Sequence, residues 1–362
     1  MVKSAYIHIP FCKSKCHYCS FVSFCNTDKK DDYIKKTVAE IKFYYENEPL
    51  KTLYIGGGTP SLLSLSEVNR IVSNFSFCDS AEITMELNPE DVCYDYLRGL
   101  YDLGINRLSF GCQTFDDDIL KLINRRHNSS QVIKVVENAR LAGFDNLSLD
   151  FIYGLPNQTC EMFVSDLNRA VDLGLEHISL YGLKIEEGCY FSNHLPDNLP
   201  DDDMQADMYL KAIETLLNRG YVQYEVSNFS KKGLYSRHNL NYWENGEYYG
   251  FGVAAHGYKN GIRYENVDNL KDYINNPYDK KSSHLLSQGE KLEEEIFLGF
   301  RKLAGIDVVS INKKYNIDFE NKYKKVLDKY INLNLIEKTN GGYKLTIQGI
   351  LVSNVVLADF IE

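Results

Sequence analysis

Three cysteines stand within eight residues, in Cys12-Lys13-Ser14-Lys15-Cys16-His17-Tyr18-Cys19, at the spacing C-x-x-x-C-x-x-C. With nine cysteines in 362 residues, about 0.006 such patterns are expected by chance, so the spacing is a chemical signal. Zinc sites built from cysteine reach four ligands by pairing C-x-x-C knuckles. No second knuckle follows, because Cys25, Cys78, Cys93, Cys112, Cys160 and Cys189 are scattered singly. A cubane iron–sulfur cluster held by three thiolates keeps one iron open for a non-protein ligand, and that chemistry suits Cys12, Cys16 and Cys19 as metal ligands. Cys25 is an alternative fourth ligand that would close the cluster; its other reading is an ordinary free thiol.

A cluster loop has to be held by rigid elements. Apolar, β-branched runs at 6–9, 52–55, 82–85, 106–110, 147–152 and 177–181 alternate with amphipathic helical stretches at 33–45, 66–74, 92–103, 130–142 and 160–173. Strand and helix units in this order predict a parallel α/β sheet with right-handed crossovers. Such sheets carry their sites at the carboxyl ends of the strands. The chemically unusual residues fall there. The cysteine loop follows the first strand, Gly56-Gly57-Gly58-Thr59-Pro60 follows the second, Glu86 closes the third, Gln113 follows the fourth, and Asp150 lies toward the end of the fifth.

Each of these residues also has a plain structural reading. The glycines make either a tight turn or a backbone that a ligand can approach closely. Glu86 is either a solvated strand end or an acceptor for a bound ribose. Arg125 and Arg126 are either a solvated helix end or a two-pronged grip on a carboxylate, and Asp150 is either a satisfied buried acid or a ligand contact. The glycine spacing is not G-x-G-x-x-G, so a nicotinamide cofactor is not supported.

Taken together, the segments 6–12, the cysteine loop, 56–60, Glu86-Leu87-Asn88-Pro89, Ser109-Phe110-Gly111-Cys112-Gln113, 150–156, Arg237-His238-Asn239-Leu240-Asn241-Tyr242-Trp243 and 250–257 resemble the oxygen-independent coproporphyrinogen III oxidase-like family of the radical S-adenosylmethionine (SAM) superfamily. The resemblance covers nearly the whole chain. It implies a partial (β/α)6 radical SAM barrel with a smaller C-terminal α+β, winged-helix-like domain. It also implies a 4Fe-4S cluster on Cys12, Cys16 and Cys19, whose open iron would chelate the amino and carboxylate groups of SAM and whose electron would yield a 5′-deoxyadenosyl radical. Tyr6, Tyr18, Gly57, Gly58, Thr59 and Glu86 match family positions around SAM. Gln113, Arg125, Asp150 and Lys184 match positions that hold a second SAM or a nearby ligand.

Within that family, two departures from the oxidase favour the haem-chaperone branch. Phe21 stands where the oxidase pattern has a further cysteine, and only five residues precede Tyr6. The H-N-x-x-Y-W match at 238–243 points the same way. The resemblance then implies haem as cargo, delivered to an apoprotein such as a respiratory enzyme, which can be membrane-associated. His238, Tyr242 and Trp243 are candidate haem contacts, with His256 competing as iron ligand. The alternative is the oxidase itself, which decarboxylates propionate side chains. A homodimer is left open.

Fifty Asp plus Glu against forty Lys plus Arg give a net charge of −10, which argues against a nucleic-acid partner. Apolar and charged fractions of 44% and 25% are those of a globular chain, and no apolar run approaches the ~18 residues of a spanning helix. The amino terminus shows no signal-peptide pattern, so a cytoplasmic location is expected, with reduced thiols. The expected division is a barrel at 1–200, its extension at 201–285 and a terminal domain at 286–362. Helices are expected at 204–218, 287–303 and 316–331, and a hairpin at 335–347 turning at Asn340-Gly341-Gly342.

Overall fold

Six apolar-rich strands, buried on both faces, build the centre of this protein. The computed structural model describes residues 2–361. β1 (Ser4–Ile9), β2 (Leu50–Gly57), β3 (Phe77–Leu87), β4 (Arg107–Gln113), β5 (Leu147–Tyr153) and β6 (His177–Gly182) pair in parallel in that order. The register sets Ile7 opposite Ile55, Ile55 opposite Met85, Met85 opposite Leu108 and Leu108 opposite Leu147. All of these side chains are buried. Helices Lys30–Tyr44, Leu65–Val72, Tyr94–Asp102, Ser129–Ala142 and Cys160–Asp172 alternate with the strands. Local chemistry starts them: Ser64 with Glu67 and Asn128 with Gln131 form reciprocal caps, and Thr159 accepts from Met162 N–H.

Both edges of the sheet are extended by short strands that three-residue patterns could not reveal. β7 (Val222–Gln223) and β8 (Asn228–Ser230) add antiparallel to the β6 edge, while β9 (Tyr249–Phe251) pairs in parallel with β1. The order is therefore β7-β8-β6-β5-β4-β3-β2-β1-β9, a partial barrel of nine strands. Helix Asp202–Asn218 starts two residues ahead of its expected position, because the Asp201 side chain accepts from Met204 N–H. Strands His256–Lys259, Ile262–Asn266 and Lys280–Leu285 form a separate antiparallel sheet.

The carboxyl-terminal part is winged-helix-like. Helices Val308–Tyr315, Phe319–Lys322 and Lys324–Asn332 precede the hairpin Ile336–Lys338 and Gly342–Leu345, whose second strand also pairs with Ile306–Asp307. The single helix expected at 316–331 is corrected by this arrangement. Asn316, at φ 52°, ends one helix in the left-handed region, and the Asp318 side chain caps the next by accepting from Asn321 N–H. Among the described residues, no helix is long and apolar enough to cross a membrane.

Candidate functional site

Beyond β1 the chain enters the cysteine loop, which is tied down at both ends and in its middle. Phe24 N–H donates to Pro10 O at 2.6 Å and Cys12 N–H to Phe24 O at 3.1 Å. His17 N–H donates to Ile123 O at 3.1 Å and Asn124 Nδ2 to Lys15 O at 2.8 Å, so the segment after β4 holds the loop's centre. The glycine turn after β2 supplies the floor. Gly58 N–H donates to Ile9 O at 2.8 Å, and a Cβ at Gly58 would lie 2.9 Å from both Ile9 O and Phe11 O. Gly57, at φ 113°, turns its N–H to Glu86 Oε2 at 3.1 Å.

Cys12, Cys16 and Cys19 line one cavity of about 520 Å³ at the carboxyl ends of the strands. Tyr18, Gly57, Gly58, Thr59, Glu86, Gln113, Arg125, Asp150 and Lys184 line the same cavity. Tyr6 does not; it packs on Tyr54 with ring centres 6.2 Å apart and hydrogen-bonds His8 Nδ1 at 2.9 Å, facing an adjoining cleft. The thiols are free. Thr59 Oγ1 donates to Cys12 Sγ at 3.3 Å and Arg125 Nη1 to Cys16 Sγ at 3.5 Å. Among the described residues, no three His, Cys, Asp or Glu side chains converge on a point that would hold a single ion. All three thiols line the same cavity, as a cluster that binds each thiolate at a separate iron requires. Burial raises the Cys12 thiol and pushes Cys19 up to about 11, so loading iron must displace protons. Cys25 is exposed and lies outside the cavity lining.

Glu86 is not the solvated strand end of the plain reading. Its carboxylate accepts from Tyr54 Oη at 2.7 Å and from Gly57 N–H, and burial pushes its pKa up to about 7. A folded-state pKa above the usual carboxyl value means that folding favours the protonated form. The resulting stability is fully present below about pH 4.5 and is lost as pH rises through 7, on the order of 3 kcal/mol. Denaturant titrations of the metal-free protein at pH 5 and 8 are expected to show this decline, and Glu86→Gln is expected to flatten it. An equally steep decline in the variant would remove Glu86 as its source.

Arg125 also departs from the solvated reading. Its Nη2 donates to Gly111 O at 2.7 Å and to Asn88 Oδ1 at 3.0 Å, while Nε is buried with no hydrogen-bond partner among the described residues. Arg126, by contrast, stays at the surface beside Asp91 and Glu90. Asp150 accepts from Ser109 Oγ at 3.0 Å, and burial raises its pKa. Gln113 sits at φ 68° where the β4–β5 register slips, the kind of backbone strain that concentrates at functional sites. Lys184 is exposed at the rim, 3.0 Å from Glu186. Sequence reasoning missed two residues here. Asn88 joins Arg125 to the glycine turn by donating to Thr59 Oγ1 at 3.3 Å, and its place just past a strand end was the available signal. Tyr54 reads as an ordinary strand aromatic, and its link to Glu86 has no local signature.

The expected haem contacts need correction. His238 is 1% exposed, with Nδ1 hydrogen-bonded to Thr52 Oγ1 and Nε2 to Tyr242 Oη, both at 2.8 Å. Burial pushes its pKa down to about 3. Both nitrogens are engaged, so the ring braces its helix against β2 and offers no lone pair to iron. Trp243 lies under the Arg301 guanidinium, 4.6 Å from ring centre to Cζ, and faces a different cavity from His256. Tyr242 borders both.

Residues 6–170 match the family model of the radical SAM superfamily, and residues 286–352 match that of the HemN C-terminal domain. Fold and site thus define a protein of the radical SAM class. Its sequence is 39% identical to the haem chaperone HemW of Lactococcus lactis, over 99% of this chain and 97% of the relative. Identity is 39% to the HemW of Bacillus subtilis, over 99% of each chain, and 33% to that of Haemophilus influenzae, over 99% and 97%. The chain belongs to the HemW family. Its fold is also that of coproporphyrinogen III oxidase (HemN) from Escherichia coli, at a TM-score of 0.87 and 23% identity, covering 99% of this chain and 90% of the other. Radical SAM membership implies a 4Fe-4S cluster and SAM.

Proposed function

We propose that this protein is a haem carrier. It binds haem as cargo and delivers it to an apoprotein, such as a respiratory haem enzyme at a membrane, while holding a 4Fe-4S cluster and SAM. The observation that carries this reading is the full-length similarity to relatives named as haem chaperones. Nine free thiols among the described residues fit a reducing, cytoplasmic setting.

In this reading Cys12, Cys16 and Cys19 hold the cluster. Once bound, the cluster supplies an electron donor and an open iron for the amino and carboxylate groups of SAM. The Gly57 and Gly58 backbone lets the ligand approach, and Glu86 accepts hydrogen bonds from its ribose. Arg125, Asp150 and Gln113 contact the ligand from the β4 and β5 side, with Thr59 and Arg125 also donating toward cysteine sulfur. Hydrogen bonds to cluster sulfurs tune its reduction potential.

The test compares two activities on anaerobically reconstituted protein. Haem is expected to be retained through gel filtration, and coproporphyrinogen III is expected to remain unconverted with excess SAM and a strong reductant. Conversion at enzyme-like turnover without haem retention would replace the carrier by the oxidase.

A further inference from the structure

We infer that haem seats in the cleft between the cysteine loop and residues 254–256, with His256 as its iron ligand. This assignment rests on the haem-carrier reading and gives it a location. Of the eight histidines, most are already engaged. His8, His177 and His238 have both ring nitrogens hydrogen-bonded. His127 is buried against Glu90 and Cys112 O. His17 and His194 stack on Tyr190, each with ring centres 4.1 Å apart, and each bonds a carbonyl through Nδ1. His284 is held by Glu290 at 2.8 Å. The His256 side chain is 67% exposed, and among the described residues its ring makes no hydrogen bond; Glu265 Oε1 lies 4.0 Å from Nε2.

The surroundings of His256 suit an iron porphyrin. It lines a cleft of about 370 Å³ whose other walls include Phe21, Tyr6, Tyr242 and Tyr248. Phe21 is 66% exposed, an apolar ring left in water that a flat macrocycle would cover. Glu265 Oε1 is already engaged by Lys281 Nζ at 3.0 Å, so the exposed imidazole keeps both ring nitrogens available to a metal. Ala254, two residues before the ligand, is held at φ 55°, a left-handed conformation costly for a residue with a side chain. The cleft is small and open, so it would grip one part of the macrocycle and leave the rest accessible for handover. Ser20 and Phe21 also line the cavity of the cysteines, which places the cargo beside the cluster loop.

Ferric haem titrated into the full-length reconstituted protein, followed by Soret absorbance, tests the assignment. His256→Ala is expected to weaken binding at least about tenfold and to change the ligand signature, since loss of even an outer-shell partner costs that much in metal sites. His256→Met, which keeps a donor, is expected to restore part of the affinity with a shifted spectrum. Phe21→Ser is expected to weaken binding while leaving the signature of the wild type. Unchanged affinity and spectrum in His256→Ala, with the wild type binding normally, would overturn the site and spare the carrier reading. A wild type that binds no haem would overturn both.

Discussion

Replacing Cys12, Cys16 or Cys19 by Ala is expected to reduce iron and sulfide in the reconstituted protein to background, whereas Cys25→Ala is expected to leave both unchanged. A methyl group offers iron no donor, and a cubane with two protein thiolates would expose a second iron to solvent. The asymmetry among the four cysteines comes from the loop. The backbone bonds between residues 10, 12 and 24 close it, and they keep Cys25 outside the cavity that the other three share. Iron and sulfide analysis with the cluster's visible absorbance reads the outcome. Loss of the cluster in Cys25→Ala would mean a fourth protein ligand and no open iron for SAM.

Glu86→Ala is expected to weaken SAM binding by roughly ten- to a hundredfold without loss of iron. The carboxylate meets the cavity from β3, and removing one charge-assisted hydrogen bond costs about 1.5 to 3 kcal/mol. A second effect adds to the first, because Tyr54 Oη and Gly57 N–H lose their shared acceptor. Its elevated pKa, about 7, gives the wild type a pH signature. Protonation removes an acceptor, so SAM affinity is expected to fall as pH drops from 8 to 6 and to stay flat in Glu86→Gln. Calorimetric titration checks both statements. A dissociation constant unchanged in Glu86→Ala would mean that this carboxylate serves only Tyr54 and Gly57.

The residues that were legible in the sequence are those whose role is written locally. The cysteine spacing needs only eight residues, and the six parallel strands announce themselves by apolar, β-branched or aromatic residues recurring over short segments such as Leu147-Ser148-Leu149-Asp150-Phe151-Ile152. Positions following strand ends were legible too, because parallel sheets put their sites there. What escaped depends on partners distant in sequence. Tyr249-Gly250-Phe251 becomes a strand because β1 has a free edge, not because three residues carry a pattern. His238 is a candidate ligand only through the family motif it sits in, and Thr52, 186 residues away, occupies one of its nitrogens. Arg125 was ambiguous for the same reason: whether a guanidinium is solvated or inserted depends on Asn88 and Gly111 O.

Haem transfer itself tests the proposal that this chain carries haem to another protein. The most direct measurement loads the reconstituted protein with haem, mixes it with the apo form of a haem-binding acceptor, and follows haem by the acceptor's own Soret band after the two are separated. Haem is expected to leave the carrier and appear in the acceptor faster than it dissociates into buffer. Haem that stays on the protein, or reaches the acceptor only at the rate of free dissociation, would contradict it.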